Sequence, residues 1–203
     1  MRGNPISRSV LRRLYIDKKF SAMQIATRLH CSAGKVHYWL ARRSIRIRSI
    51  SDAVYARSNP HGDPFTFRQP RTIEEAVLYG LGLGLYWGEG TKKNLTAVRL
   101  GNTDPYLSRM FLRFLTHLYT VERSKIRFGL QIFSDMKPGK ALKFWSKFLG
   151  YDRSHFGKII ITPARSIGTY REKTKHGVLT IYVSNKKLRD LLNLQIEQLH
   201  KIG

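Results

Sequence analysis

One stretch, residues 77–90, constrains the fold of this chain more than any other. It reads Val-Leu-Tyr-Gly-Leu-Gly-Leu-Gly-Leu-Tyr-Trp-Gly-Glu-Gly, which is apolar almost throughout and contains no proline. Such a run is too long for an ordinary strand and favours a buried helix. Each interior glycine, however, costs a helix about 1 kcal/mol relative to alanine. A helix here therefore needs a compensating interaction.

Three of the glycines supply a candidate for that interaction. Gly80, Gly84 and Gly88 recur at every fourth position, and residues four apart lie on one face of a helix. A face without side chains lets a second backbone approach closely, as small residues do between membrane helices. Glu89 follows directly. We therefore expect a helix that packs glycine face to glycine face and carries a carboxylate at its end.

Two other interpretations of this run fit less well. A membrane span needs about 20 apolar residues, whereas this run is shorter and is bounded by Glu74, Glu75 and Glu89. Phosphate-binding glycine loops use the spacings G-x-G-x-x-G or G-x-x-x-x-G-K-[ST], and neither spacing occurs here.

The charge of the chain indicates a polyanionic partner. Its 203 residues include 37 Lys and Arg against 13 Asp and Glu, for a net charge of +24. Charge alone does not distinguish DNA, RNA and an acidic membrane. The single cysteine, Cys31, excludes an intramolecular disulfide framework and a cysteine-rich zinc site. The first residues lack the apolar core of a signal peptide, so we expect a cytoplasmic, nucleoid-associated protein that is not secreted.

Residues 1–48 are predicted to form a small all-α DNA-binding domain. Short apolar stripes at helical spacing are separated by a break at His30-Cys31, and Ser21 and Ser32 are candidate N-caps. The stretch 25–40 resembles the helix-turn-helix of resolvases and small bacterial regulators. The turn in that family usually carries glycine. His30 occupies this position here, and it is compatible with the turn because histidine tolerates the left-handed conformation better than most residues.

The resemblance implies which side chains contact DNA. The start of the second helix would reach base edges in the major groove, and the arginines that follow would bind phosphates. The base-reading candidates are Ser32, Ala33, Lys35, His37 and Tyr38, and the phosphate-binding candidates are Arg42, Arg43, Arg46 and Arg48. The alternative is a three-helix packing unit with a solvated basic face. A metal site of His30, Cys31 and His37 lacks a fourth ligand nearby.

Residues 49–71 are predicted to be a basic linker: residues 50–57 could form one or two helical turns, after which Pro60, Pro64 and Pro70 prevent a continuous helix. Residues 72–203 are predicted to form an α+β domain in the order helix, strand, helix, strand, helix, strand, strand, helix. Thr72 and Glu75 fit a capping box for the first helix. The last two strands, 155–162 and 178–184, are predicted to pair around the polar loop 163–177.

Half-buried strands with polar outer faces imply a mixed or antiparallel sheet covered by helices on one face only. A basic, uncovered sheet face suits a β-structure that binds in a DNA groove. The predicted outward residues are Arg99, Lys125, Arg127, Gln131, Lys158 and Thr180, with Tyr170, Arg171, Lys173, Lys175 and His176 in the adjacent loop.

The stretch 82–90, Gly-Leu-Gly-Leu-Tyr-Trp-Gly-Glu-Gly, resembles the LAGLIDADG signature, and the helix–strand order of residues 73–203 resembles the homing-endonuclease fold. The resemblance implies that two motif helices pack through Gly84 and Gly88. It also implies that Glu89 binds a divalent metal, usually Mg²⁺, at the scissile phosphates, and that the sheets form a saddle on DNA. One motif copy implies a homodimer and a roughly palindromic site.

The sequence departs from this family in one residue, because the usual acid is aspartate and Glu89 adds a methylene. We therefore keep two functional hypotheses: a homodimeric Mg²⁺-dependent double-strand DNA endonuclease, and a non-cleaving DNA-binding regulator on the same fold. An RNA maturase is a third. Lysines that could stabilise charge on the phosphate are Lys92, Lys93, Lys173 and Lys175. Asn102 and Asp104 fit structural caps.

Overall fold

The computed structural model describes residues 4–59, 62–91, 95–164 and 174–199. The chain divides into two compact units between Asp63 and Pro64. Within the predicted linker of 49–71, the first part forms a helix, in agreement with the helical turns predicted there, and lies in the first unit, whereas residues 64–71 lie in the second. None of the helices in these described ranges is long and apolar enough to cross a membrane.

The segment 64–71 packs on the rest of the second unit through its backbone and two aromatic side chains, Phe65 and Phe67. The N–H of Thr66 donates to the carbonyl of Tyr119 (3.1 Å), and that of Arg68 donates to the carbonyl of Leu118 (2.7 Å). The ring of Phe67 lies 5.7 Å from that of Tyr79 and 4.9 Å from that of Tyr119. The prolines stop a helix, as predicted, but the aromatic contacts hold the extended segment in place.

The described residues of the first unit form four helices, and an apolar core lies among the first three. They are α1 (Arg8–Leu11), which continues with π-helical turns over Arg12–Asp17, α2 (Ala22–Arg28), α3 (Ala33–Arg42) and α4 (Ile50–Ser58). The core side chains come from the first three helices and the residues beside them: Ile6, Leu11, Tyr15, Ala22, Ile25, Ala26, Val36 and Leu40.

The turn between α2 and α3 confirms the predicted conformation at His30. That residue has a φ of 47°, and its N–H donates to the carbonyl of Thr27 (3.4 Å). The N–H of Cys31 donates to the carbonyl of Ala26 (2.9 Å), which completes a Schellman ending of α2. Ser32 accepts the N–H of Lys35 and caps α3, as the sequence predicts.

The second unit is an α+β domain, as predicted. Its elements are α5 (Ile73–Glu89), β1 (Val98–Asn102), α6 (Pro105–Arg113, continued with π-helical turns over Phe114–Leu118), β2 (Ile126–Phe133), α7 (Pro138–Leu149), β3 (Ile160–Thr162), β4 (Val178–Val183) and α8 (Lys186–Leu199). The strands form one mixed sheet in the order β1-β4-β2-β3, in which β2 and β3 are parallel.

The predicted pairing of the last two strands is wrong. β4 lies between β1 and β2 and is antiparallel to both, whereas β3 pairs only with β2, at the edge of the sheet. A hairpin requires a short turn, and the connection 163–177 is too long to impose one. The inward side chains of β4 are almost fully buried, which suits a central strand, while Ile160 and Ile161 of β3 are 60% and 55% exposed.

The helices cover one face of the sheet, as predicted. Side chains on the inner face of β1, β2 and β4 are at most 3% exposed; they are Val98, Leu100, Ile126, Phe128, Leu130, Ile132, Leu179, Ile181 and Val183. They pack with apolar side chains of α5 to α8 in one continuous core. Alternate residues of the same strands face outward.

The glycines of α5 fall into two groups. A Cβ added at Gly82 would overlap the ring of Phe114, whereas one added at Gly80, Gly84 or Gly88 would meet nothing within 4 Å. Gly82 therefore allows α5 to lie close against the core. The other three glycines face outward and contribute nothing to packing inside the unit.

Glu75 joins the start of α5 to the π-helical continuation of α6. Its carboxylate accepts the N–H of Arg71 (2.8 Å) and lies 2.8 Å from Nε2 of His117. The N–H of Glu75 donates to the hydroxyl of Thr72 (3.2 Å). One half of the predicted capping box is thus present, since the Thr72 hydroxyl accepts the N–H of Glu75. In the other half, the Glu75 carboxylate accepts the N–H of Arg71 instead of that of Thr72. The hydrogen bond from Arg71, followed by that with His117, lowers the pKa of Glu75.

We expect Gly82→Ala to lower the free energy of unfolding by about 1–3 kcal/mol, because the added methyl group overpacks the core. Gly84→Ala should raise it by up to about 1 kcal/mol, because alanine favours the helix and finds open space. Urea unfolding followed by circular dichroism, at concentrations where the chain is monomeric, measures both. Equal effects of the two substitutions would contradict this packing of α5.

We expect Glu75→Gln to destabilise the protein at neutral pH, by an amount that shrinks as acid protonates the Glu75 carboxyl. A carboxyl with a lowered pKa stabilises the fold above its unfolded value, near 4.5, and loses that contribution as pH falls through the folded value. Urea unfolding at several pH values tests this. The exposed Glu197 of α8 provides the matched control, Glu197→Gln, and the interpretation fails if both variants show the same pH dependence.

Candidate nucleic-acid interface

The outward side of α5 is an apolar stripe on the surface of the second unit. Its large side chains, Ile73, Val77, Leu81 and Trp87, are 80%, 54%, 47% and 52% exposed. Gly80, Gly84 and Gly88 lie between them and are also exposed. A contiguous exposed apolar surface of this kind marks an interaction site. We call these seven residues the α5 stripe.

The end of α5 is fixed to the sheet directly after Glu89. The N–H of Gly90 donates to the carbonyl of Tyr86 (2.9 Å), and Gly90 forms an antiparallel bridge with Leu100 of β1. A Cβ at Gly90 would overlap the carbonyl and ring of Tyr86. Glycine is therefore required where the chain leaves α5. As a result, the exposed Glu89 carboxylate stands on a backbone held by both the helix and β1.

By itself, Glu89 contributes a single carboxylate per chain to a metal site. Across the described ranges, no group of three His, Cys, Asp or Glu side chains is arranged to hold an ion. Mg²⁺ is bound by one or two carboxylates, with phosphate oxygens and waters completing six ligands. An exposed carboxylate fits that requirement only if a second protomer or a nucleic acid supplies further oxygens.

The outer sheet face carries a cross-strand row of cationic and aromatic side chains. Arg99 of β1 and Arg127 of β2 flank Tyr182 of β4 in register. The guanidinium carbon of Arg99 lies 5.7 Å from the centre of the Tyr182 ring. Arg127 donates through Nη1 to the carbonyl of Ser124 (2.7 Å), which holds its guanidinium near the start of β2. We call these three residues the Arg–Tyr–Arg row.

A row without large side chains follows along the same face. Gly101 and Gly129 flank Thr180 in register. Because two of these residues have no side chain and the third has a short one, the surface is depressed here. Beyond it, the exposed Gln131 donates through its amide to the hydroxyl of Thr162 (3.1 Å). The four strands contain no Asp or Glu. The strands of the outer face therefore carry no acidic side chain. The Arg–Tyr–Arg row lies on one side of the glycine row, and Gln131 lies on the other side in register with the apolar Val178 and Ile160.

The remaining predicted residues of this face lie at its margins or outside the described residues. Lys125 and Lys158 are exposed just ahead of β2 and β3. Lys175 is exposed in the turn before β4. Tyr170, Arg171, Lys173, Lys92 and Lys93 fall outside the described residues. Asn102 and Asp104 are structural caps, since Asn102 accepts the N–H of Asp104 (2.8 Å) and Asp104 caps α6.

In the first unit, α3 presents a polar surface opposite its buried side. Val36 and Leu40 face the core, whereas His37, Tyr38 and Arg42 are exposed. Arg46 is also exposed after the helix, while Ala33 and Lys35 are half-buried at its start. Ser32 is committed to capping α3. The half-buried Arg43 lies with its guanidinium 5.1 Å from the ring of Trp39.

Arg48, predicted to bind phosphate, is used inside the first unit. Its guanidinium lies 4.2 Å from the centre of the Tyr15 ring and donates to the carbonyl of Lys19 (3.0 Å). Its backbone N–H donates to the Tyr15 hydroxyl (2.9 Å). The left-handed conformation of Lys19, with a φ of 55°, accompanies this arrangement. Sequence spacing gives no sign of this contact between residues far apart in the chain.

Tyr182 was not predicted from the sequence as part of the outer sheet face. The stacking of the His176 ring on Phe144 of α7 was not predicted either. Tyr182 lies two residues after the outward Thr180, so strand alternation alone places it on the same face. The contacts of His176 depend on α7 and carry no local signal.

Comparison of the chain with models of protein families, with curated protein sequences and with solved structures gives no match.

Proposed function

We propose that this chain is a homodimeric DNA-binding protein of LAGLIDADG type that cleaves double-stranded DNA with Mg²⁺. The observation that carries the proposal is the geometry of α5. One helix combines an exposed glycine-containing stripe, an exposed terminal Glu89 and a fixed connection to the sheet. The outer face of that sheet is acid-free and contains arginine.

Self-association accounts for the α5 stripe. Glycine lowers the helix propensity of α5 at three positions that gain nothing within the unit. A second α5 packed on the stripe would bury Val77, Leu81 and Trp87 and use the smooth glycine surface for close backbone contact. In a twofold dimer the same patch meets itself. Such an arrangement would bring the two Glu89 carboxylates toward a common region.

DNA binding accounts for the charge of the sheet face. The Arg–Tyr–Arg row and the exposed Gln131 offer the donors that contact phosphates and base edges. A net charge of +24 favours nucleic acid through release of its counterions. The exposed side chains of α3 would extend the recognised sequence beyond the region covered by the sheet. The two surfaces are built on different units, and both serve duplex DNA in this proposal.

Glu89 would hold the metal in the cleavage reaction. When bound, Mg²⁺ supplies charge stabilisation at the phosphate and a more acidic water. The role of the chain is to present the carboxylate at a fixed position, which Gly90 secures through its contacts with Tyr86 and Leu100. The sheet orients the duplex so that the phosphates reach the end of α5.

A non-cleaving regulator is the second candidate, and Glu89 itself favours it. Mg²⁺ requires near-ideal octahedral geometry, and glutamate reaches one methylene further than the usual aspartate of this family. The helix-turn-helix in the first unit also suits a regulator. In that case the dimer and the DNA-binding surfaces are retained, and only cleavage is lost.

We expect Gly84→Leu to weaken self-association at least about tenfold, since a large side chain on the α5 stripe separates the two backbones. Sedimentation velocity over a range of concentrations, with and without duplex DNA, measures this. The matched control is Gln198→Leu, which adds the same side chain at an exposed position of α8. A wild-type chain that stays monomeric in both conditions, or a variant that associates equally well, would argue against the dimer.

We expect Glu89→Gln to reduce Mg²⁺-dependent cleavage of a randomised plasmid library at least about a hundredfold, since metal binding supplies several kcal/mol to the reaction. Glu74→Gln, an exposed substitution on the same helix, should cleave normally. Duplex affinity, measured alongside, should fall steeply with salt for every variant. Duplex binding without any Mg²⁺-dependent cutting by the wild type would select the regulator instead.

A further inference from the structure

A surface pocket of about 550 Å³ lies where β1 ends and α6 begins. Its walls are residues 103–106, Phe144 of α7, and Lys175 and His176 of the turn before β4. None of these residues belongs to the α5 stripe or to the Arg–Tyr–Arg row, and Lys175 lies at the margin of the outer sheet face. Its size is within the range of small-ligand sites.

The turn 174–177 is held firmly against the domain. The N–H of Gly177 donates to the carbonyl of Thr174 (2.9 Å). Gly177 has a φ of 75°, and a Cβ there would lie 2.5 Å from the carbonyl oxygen of Gln131. The indole N–H of the buried Trp145 donates to the carbonyl of His176 (2.7 Å). The side chains of this turn are therefore presented by a backbone with little freedom.

Phe144 and His176, which both line the pocket, belong to a series of stacked rings. The His176 ring stacks on Phe144 with centres 3.5 Å apart and planes at 10°. Phe144 in turn stacks on Phe148 at 5.7 Å and 16°. Burial, followed by the charge of Lys175, lowers the pKa of His176, which favours the neutral ring. The wall of the pocket is therefore flat and aromatic.

Tyr106 completes the site from the α6 side. Its ring is 71% exposed and meets Phe148 edge to face at 5.4 Å. The guanidinium of Arg109 covers Phe148 at 3.7 Å, so the cluster behind Tyr106 is filled. Asp104 accepts the N–H of Tyr106 (2.7 Å) and fixes the start of the helix. The ring of Tyr106 is left available for stacking with a ligand.

The aromatic side chains of this pocket suit a planar ligand, and the Asp104 carboxylate that also lines it is engaged in capping α6. Exposed aromatic rings bind nucleobases through their faces, at any base identity. The exposed ammonium of Lys175 stands at the same pocket and can bind a neighbouring phosphate. Bases within a duplex are already stacked and paired, and entering a pocket requires that they leave the helix. An unpaired base meets no such cost.

We propose that this pocket binds an unpaired nucleobase of single-stranded nucleic acid, stacked on Tyr106 with an adjacent phosphate on Lys175. The inference goes beyond the proposed function, which requires only duplex DNA on the sheet and on α3. It gives the chain a second mode of binding, for strands that are open or displaced.

The test compares a fluorescein-labelled single strand of about 12 nucleotides with the duplex of the same sequence. Anisotropy titrations at about 0.2 M salt suppress non-specific binding. Tyr106→Ala should weaken single-strand binding about 5- to 100-fold, the loss of one stacked base, and leave duplex affinity unchanged. Tyr106→Phe should restore it. Lys175→Met should lower the salt dependence by about the amount of one phosphate contact.

Leu194→Ala, which truncates an exposed side chain of α8, is the control and should leave single-strand binding unchanged. Thermal unfolding of each variant checks that the exposed substitutions preserve the fold. An unchanged single-strand affinity for Tyr106→Ala would overturn the proposal, as would an equal loss for single strand and duplex or a failure of Tyr106→Phe to restore binding. Single-strand binding by a wild type that does not bind duplex would instead refute only the proposed function.

Discussion

The close approach of α5 to the aromatic core at Gly82 determines how the second unit is arranged. Because Gly82 has no Cβ, Phe114 fills the space beside the helix, and Leu83 and Tyr86 are fully buried on the same side. Burial of this side turns the opposite side outward, where the other glycines lie. The same residue type thus serves two purposes in one helix: contact with the core on one side and a smooth surface on the other.

The features that the sequence predicted well are those that depend on local patterns. The α+β class, the helix caps at Ser32 and Asp104 and the one-sided burial of the strands follow from short-range periodicity and hydrogen bonding. The order of the strands does not, because pairing of β4 with β1 and β2 depends on contacts across the whole domain. The position of Phe67 against Tyr119 was missed for the same reason.

In the candidate site too, the features that depend on local spacing could be predicted, and those that depend on distant contacts could not. The position of Glu89 and the common face of the three glycines are consequences of helical spacing and could be predicted. The commitment of Arg48 to Tyr15 and the stack of His176 on Phe144 arise between distant parts of the chain. Exposed cations are common in so basic a protein, so the sequence alone does not separate those that hold the fold from those that face solvent.

The glycine row of the outer sheet face has a consequence for shape. Arg127 and Gln131 are four residues apart on β2, which is about 13 Å at the rise of a strand. Between them lie only Gly101, Thr180 and Gly129, so the face forms a shallow channel across three strands with taller side chains on both banks. A convex surface of similar width would contact Arg127 on one side of this channel and Gln131 on the other. The four-residue spacing along β2 thus sets the width of any surface that could touch both rows at once.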